Sequence, residues 1–285
     1  SFDKKSNLRI LSWLFSLRII HFPFDYKEIN SLRRSYQTDY LDKFLKSPSN
    51  DEKTIKQDLD RTINWFKKLI KDNNISVRKD LPQLAYASSH RILSILSLSD
   101  SFYRYLQGYD RYVFIFLILG YDALKKADNF VEALAFYLMR EFLKFFNPSR
   151  FTINREFGLN FFNVLDTKIA SARPNIARLF KHYKVSSLHY AVRWALLSFA
   201  DEYNLQEIFL LWDHILVNKN KYLDYISELC VGHVIQIEPV KSEHVIQTIQ
   251  TKENWDVVKA IHYADSHLVN TNSTLKILLL IVVLL

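Results

Sequence analysis

The sequence predicts an all-α protein, and three observations carry that expectation. Glycine is scarce, with four in 285 residues, and there are six prolines; average usage is about 7% glycine and about 5% proline. A chain so poor in glycine has few glycine-built turns, which disfavours a sandwich, a barrel or a Rossmann sheet. Apolar residues recur at three- and four-residue spacing through several long segments, whereas strand-like alternation is rare. Hydrophobic residues supply 49% of the chain and charged residues 24%, enough for a sizeable core with a solvated exterior.

The elements follow in chain order. Leu8 to Ile20 is apolar but carries Arg9 and Arg18, so it reads as a structured segment with no secretory signal ahead of it. Residues 54–71 read TIKQDLDRTINWFKKLIK, and Ile55, Leu59, Ile63, Phe66 and Ile70 form one apolar face. Thr54 and Gln57 have capping-box spacing, which predicts a helix start there. YRYLQGYD, residues 103–110, spends one of the four glycines immediately before the apolar run that ends in VFIFLILG. Residues 130–146 repeat the periodicity through Val131, Leu134, Leu138, Phe142 and Phe145, and Pro148 closes that helix. Pro174 suits the first turn of another helix. Segments 186–199 and 205–217 are periodic as well. The pattern predicts roughly ten or more helices on short loops, with a soft division near 147–165 and a linker at Asn270 to Thr274.

Charge and motif content narrow the function classes. The formal net charge is +8, but pairs such as Lys67-Lys68 and Lys125-Lys126 are scattered and no arginine-rich arm stands out. A solvated surface explains this better than a nucleic-acid footprint. Cys230 is the single cysteine, which excludes an internal disulfide and a cysteine zinc site and fits a reducing compartment such as cytosol. No P-loop, GxGxxG, GxSxG or HExxH is present. His182 and His189 stand two helical turns apart and read as structural residues; no metal site is expected.

Two local patterns remain. In a helix, Asp58 and Arg61 are i,i+3 neighbours. Arg61 lies about 200° around the axis from Leu59 and points away from the apolar stripe, and Trp65 extends the polar-side row from Asp58 and Arg61. The pair is either a surface ion pair or an arginine presented to an anionic partner. In the second pattern, Gly108 permits backbone conformations closed to other residues, and Gln107 both donates and accepts hydrogen bonds. That segment is either a helix junction or a site of close approach.

Together the patterns resemble a known family. Ile55, Asp58 and Arg61 spell IxxDxxR, and Tyr105, Gln107 and Gly108 spell YxQG. This ordered pair resembles the dual-finger signature of TBC domains, GTPase-activating proteins for Rab-type small GTPases. LRILSWL at 8–14, HRIL at 90–93 and RWALLSFADEYNLQEIFLLWD at 193–213 resemble further family segments, so the resemblance covers roughly residues 8–230. Arg104 and Tyr109-Asp110 depart from the commonest family residues around YxQG, and the proline often found after the arginine is missing. QGY instead resembles a branch that is tail-anchored in the endoplasmic reticulum.

The resemblance implies a two-lobed all-α TBC domain. Residues 8–160 would form an N-terminal subdomain carrying both fingers, 161–268 a C-terminal helical subdomain, and 269–285 a linker with an apolar tail. Arg61 would be the arginine finger and Gln107 the glutamine finger that positions the hydrolytic water. Asp58 would fix Arg61, Tyr105 would wall the site or touch the partner, Gly108 would allow close approach, and Ile55 would anchor the segment in the core. The partner would be a Rab GTPase in its GTP form, carrying the magnesium and nucleotide, so the chain needs no cofactor of its own. A competing expectation is a TBC scaffold that binds a GTPase or another protein with little catalysis; a helical nucleic-acid binder is supported only by the charge. LKILLLIVVLL, residues 275–285, is shorter than the ~20 residues of a membrane span. Either it packs on the domain or it opens a membrane anchor, which would place the chain at the cytoplasmic face of the endoplasmic reticulum or another endomembrane.

Overall fold

A computed structural model describes residues 2–21, 23, 25–44, 51–73, 78–125, 128–148, 150–238, 245–252 and 254–268. The apolar run at 275–285 lies outside them. The all-α expectation is met: the described residues form helices and connecting turns, with no strand among them. In order these are α1 (Phe2–Ser16), α2 (Tyr26–Ser35), α3 (Asp42–Phe44), α4 (Glu52–Asp72), α5 (Leu81–Ser99), α6 (Tyr109–Leu124), α7 (Asn129–Phe146), α8 (Arg150–Ile153), α9 (Arg155–Ala172), α10 (Pro174–His182), α11 (Ala191–Leu197), α12 (Leu205–Val217), α13 (Tyr222–Val234), α14 (Val245–Gln250) and α15 (Val257–His267). No helix of the described residues is long and apolar enough to cross a membrane. The helices gather into two compact units, one within Ser1–Phe145 and the other within Phe146–Thr274.

In the first unit α6 is the central element. Val113, Phe114, Ile115, Phe116, Leu117, Ile118 and Leu119 are all 0% exposed. A helix apolar all round is stable only when covered all round, and here α1, α4 and α5 supply the cover. Trp13 of α1 meets Phe116 edge-on at 6.0 Å, and Phe66 of α4 stacks on Phe114 at 4.6 Å. Each such ring pair adds about 0.5–1.5 kcal/mol beyond the area it buries. The sequence feature that seats α4 is therefore its apolar stripe, and the neighbour that receives it is α6.

The buried stripe of α4 differs from the expected one in two ways. Ile55, Asp58, Leu59, Thr62, Phe66, Leu69 and Ile70 are buried, while Ile63 is only half-buried. A 3.6-residue repeat from Ile55 passes through Thr62 and leaves Ile63 on the flank. The helix also starts earlier than the capping-box spacing suggests. It begins at Glu52 after Asp51, so Thr54 lies inside its first turn and makes no cap. Elsewhere the proline expectations hold: Pro174 opens α10 at its first turn, and α7 stops at Phe146 just before Pro148.

In the second unit α13 packs on α15, α9 and α11. Gly232 lets α13 and α15 touch backbone to backbone, because a Cβ there would lie 2.9 Å from both Cα and O of Ala260. Trp194, Phe199, Trp255 and His233 form a continuous ring cluster beside this contact.

Candidate functional site

The site begins on α4. Ile55 is 0% exposed and ties the helix to the core. One turn on, Asp58 is also on the buried side, and its carboxylate Oδ1 accepts from Arg61 Nη1 at 3.2 Å. The two partners sit in unlike surroundings: the Arg61 side chain is 69% exposed, the Asp58 side chain 8%. The guanidinium therefore stands in solvent with one edge held from below. Its remaining donors point to no other partner among the described residues, which leaves a charged planar fork free to meet an anion.

The second segment is a short irregular stretch between α5 and α6. Asp100 starts it by accepting from the Phe102 N–H at 2.9 Å, which closes a single 3₁₀ turn over Ser101–Tyr103. The chain then runs through Arg104, Tyr105 and Leu106 into the turn that opens α6, where Tyr109 N–H donates to the Leu106 carbonyl at 3.1 Å. Gly108 caps α6 with φ 104° and ψ −15°. That φ lies in the region closed to most side chains, so the scarce glycine is spent where the backbone demands it. Gln107, immediately before, is exposed and makes no side-chain hydrogen bond within the described residues.

Tyr105 joins the two segments. Its hydroxyl donates to Asp58 Oδ2 at 3.0 Å, so one carboxylate holds both the arginine of IxxDxxR and the tyrosine of YxQG. Its backbone N–H reaches Asp51 Oδ2 at 3.4 Å, and the same oxygen accepts from Ser97 Oγ of α5. Burial pushes the Tyr105 phenol far above its ordinary range, reinforced by the charges of Asp110 and Asp58. The phenol is thus a fixed donor at any ordinary pH. Asp51 and Asp110, the latter 2% exposed, are carboxylates around Tyr105 that the sequence did not single out. Tertiary contacts bring Asp51 there, and no spacing rule marks it. Asp110 was visible only as the residue two past Gly108.

The other singled-out motifs are structural. Arg91 of HRIL forks onto the buried Glu132, with Nε 2.8 Å from Oε1, and Tyr36 and Ser88 complete that carboxylate's partners at 2.7 Å each. Trp13 of LRILSWL and Trp212 of the LWD segment are 0% exposed, and Trp212 Nε1 donates to the Ser198 carbonyl at 3.0 Å. His182 ends α10 while His189 sits in a separate 3₁₀ turn bonded to Ser186, so they share no helix face. No cluster of His, Cys, Asp or Glu suited to a metal occurs among the described residues. A cavity of about 500 Å³ in the second unit, lined by Ile169, Ala177, Phe180 and Val185 among others, contains none of the signature residues.

The family model described as the Rab-GTPase-TBC domain matches residues 6–232. The chain belongs to that family. Both signature segments lie inside the matched residues of this TBC domain, as do LRILSWL, HRIL and the tryptophan-containing helices. Among solved structures, the crystal structure of the Ypt/Rab-GAP domain of Gyp1p is similar, with a TM-score of 0.69 at 14% sequence identity, covering 91% of this chain and 86% of that one. At that identity the likeness is one of fold. No curated protein sequence matches the chain significantly. For this TBC domain the fold is thus shared with a structurally known Rab-GAP domain, and the chemistry rests on its own side chains.

Proposed function

We propose that this chain accelerates GTP hydrolysis by a Rab-type small GTPase in its GTP form, supplying Arg61 and Gln107 in trans. The observation that carries the reading is the Asp58 carboxylate, which receives Arg61 at 3.2 Å and Tyr105 at 3.0 Å and so binds the arginine-bearing and glutamine-bearing segments to one point. Hydrolysis needs an in-line water and charge relief on the transferring phosphoryl group, and an arginine supplied by a partner is worth about 10³–10⁵ in rate. The Arg61 fork serves the second need. The Gln107 amide, with an acceptor oxygen and two donors, serves the first. Asp58 spares Arg61 part of the entropy of finding its geometry. Magnesium and nucleotide belong to the GTPase, and the chain contributes side chains alone. The tyrosine after Gly108 supports work in vesicle traffic at the cytoplasmic face of the endoplasmic reticulum or another endomembrane, and the apolar run at 275–285 supports the same place if it opens an anchor and does not pack on the domain.

Single-turnover hydrolysis over a panel of GTP-loaded Rab GTPases tests the reading. The wild-type chain is expected to stimulate at least one member. Arg61→Ala should reduce that stimulation by about 10³-fold or more, and Gln107→Ala by about 10²–10³-fold, the usual loss for one transition-state group. Wild-type rates in either variant would remove that residue from the mechanism. Tight GTPase binding without turnover would instead favour a scaffold.

A further inference from the structure

Trp65 lies one turn beyond Arg61 on α4, and Arg111 lies one turn beyond Gln107 at the start of α6. Their side chains meet: the Arg111 guanidinium carbon sits 4.4 Å from the centre of the Trp65 ring. Both residues are half-buried. The contact repeats, on the far side of the two candidate fingers, what Asp58 and Tyr105 do on the near side. Along α4 the order is Asp58, Arg61, Trp65; along the second segment it is Tyr105, Gln107, Arg111. Each finger is therefore bracketed by residues that bind its segment to the other.

Arg111 is an unexpected choice for its position. It stands in the first turn of α6, its N–H donating to the Gly108 carbonyl at 3.1 Å, where a cation opposes the helix dipole. A local rule broken in this way is common where a side chain serves a site. Two bonds tie the Tyr105 segment to α4 on the N-terminal side of Arg61, from the Tyr105 hydroxyl to Asp58 and from its backbone N–H to Asp51, and the Phe66–Phe114 stack joins the two helices in the core. The Trp65–Arg111 contact adds a hold nearer the surface, on the C-terminal side of Arg61. We propose that Trp65 and Arg111 form a clamp, outside the family signature, that fixes the separation and tilt of the Arg61 and Gln107 segments. They are positioning residues: they act through the fingers and touch neither nucleotide nor water. The proposal rests on the reading of the chain as a GTPase activator.

The test uses the full chain and the GTP-loaded Rab GTPase that the wild type stimulates most. Trp65→Leu, Arg111→Met and the double variant are compared in single-turnover assays over a range of activator concentrations. The maximal rate should fall roughly 10-fold in each single variant, a loss within the range for a misplacement under 1 Å. The half-saturating concentration should stay within about two-fold, because uniform binding is untouched. The double variant should lose no more than either single one, as expected of one shared contact. Trp65→Phe and Arg111→Lys, which keep a ring and a cation, should recover most of the rate; they also carry the test if Trp65→Leu fails to fold. Losses that multiply in the double variant, or a raised half-saturating concentration at an unchanged maximal rate, would overturn the clamp. So would wild-type kinetics in all the variants. A wild-type chain that stimulates no Rab GTPase would overturn the functional reading, and the clamp with it.

Discussion

At Asp58 a carboxylate with 8% side-chain exposure serves an arginine that is 69% exposed and the hydroxyl of a half-buried tyrosine. The two partners should therefore respond differently to substitution. An ion pair open to solvent on one side contributes about 0–1 kcal/mol, so Arg61→Ala should unfold in urea almost as the wild type does while losing its stimulation. Arg61→Lys keeps the charge but loses the planar fork, and should recover little activity. Tyr105→Phe removes a donor from a buried carboxylate. That change should cost about 1.5–3 kcal/mol, the range for hydrogen bonds to charged groups, read as a lower urea midpoint at an unchanged slope. An equal loss of stability in Arg61→Ala and Tyr105→Phe would mean that Arg61 is held far more tightly than its exposure implies.

At the scale of elements, the turn ahead of α6 sets where Gln107 points. Gly108→Ala must either hold alanine at φ 104°, at a cost of about 1–3 kcal/mol, or let the turn relax and swing Gln107. The expected outcome is a modest loss of stability together with a fall in maximal rate; a variant with lower stability and a full rate would show that the turn does not aim the glutamine. The same elements show what the sequence made legible. Periodicity alone places a helix over 205–217, and α12 spans Leu205–Val217, its first turn capped by the Asn204 side chain. α4 was read in the right place with the wrong start, since Asp51 and Glu52 precede a capping pattern that the helix swallows. The IxxDxxR and YxQG segments were legible as motifs. Their junction is not, because it depends on Asp58 facing inward to the Tyr105 hydroxyl, on Asp51 reaching the Tyr105 backbone N–H and on Asp110 lying near the phenol, and no periodic rule brings residues from α4 and α6 to one tyrosine of the segment between α5 and α6. A buried carboxylate on an otherwise apolar stripe is the signal that marks such a junction in retrospect.

Over the whole molecule the apolar pattern specified the fold, while the buried polar residues decide how stability answers to pH. His233 of α13 is the clearest case. It is 0% exposed, its Nδ1 lies 2.9 Å from the Leu229 carbonyl and its Nε2 lies 2.7 Å from the Tyr203 hydroxyl. A carbonyl only accepts, so Nδ1 carries the proton and Nε2 receives the Tyr203 O–H; the ring is neutral in that arrangement. Burial among Trp194, Phe199 and Trp255 depresses its pKa to about 4 from an ordinary 6.5, against a smaller upward pull from the Leu229 carbonyl. The unfolded chain therefore binds the extra proton first. The histidine's contribution to stability is complete above pH about 6.5 and is lost progressively as pH falls to about 4, amounting to about 3 kcal/mol. Glu202 works in the opposite sense, because burial raises its carboxyl, so that it favours the folded chain as pH falls. A comparison of wild type with His233→Gln cancels that common background, since glutamine offers a donor and an acceptor but does not titrate. The difference in urea-unfolding free energy between the two proteins should fall by about 3 kcal/mol between pH 6.5 and pH 4. A difference that stays flat would show that the imidazole takes up its proton inside the folded cluster, and that the ring packing around it opens to water without loss of the fold.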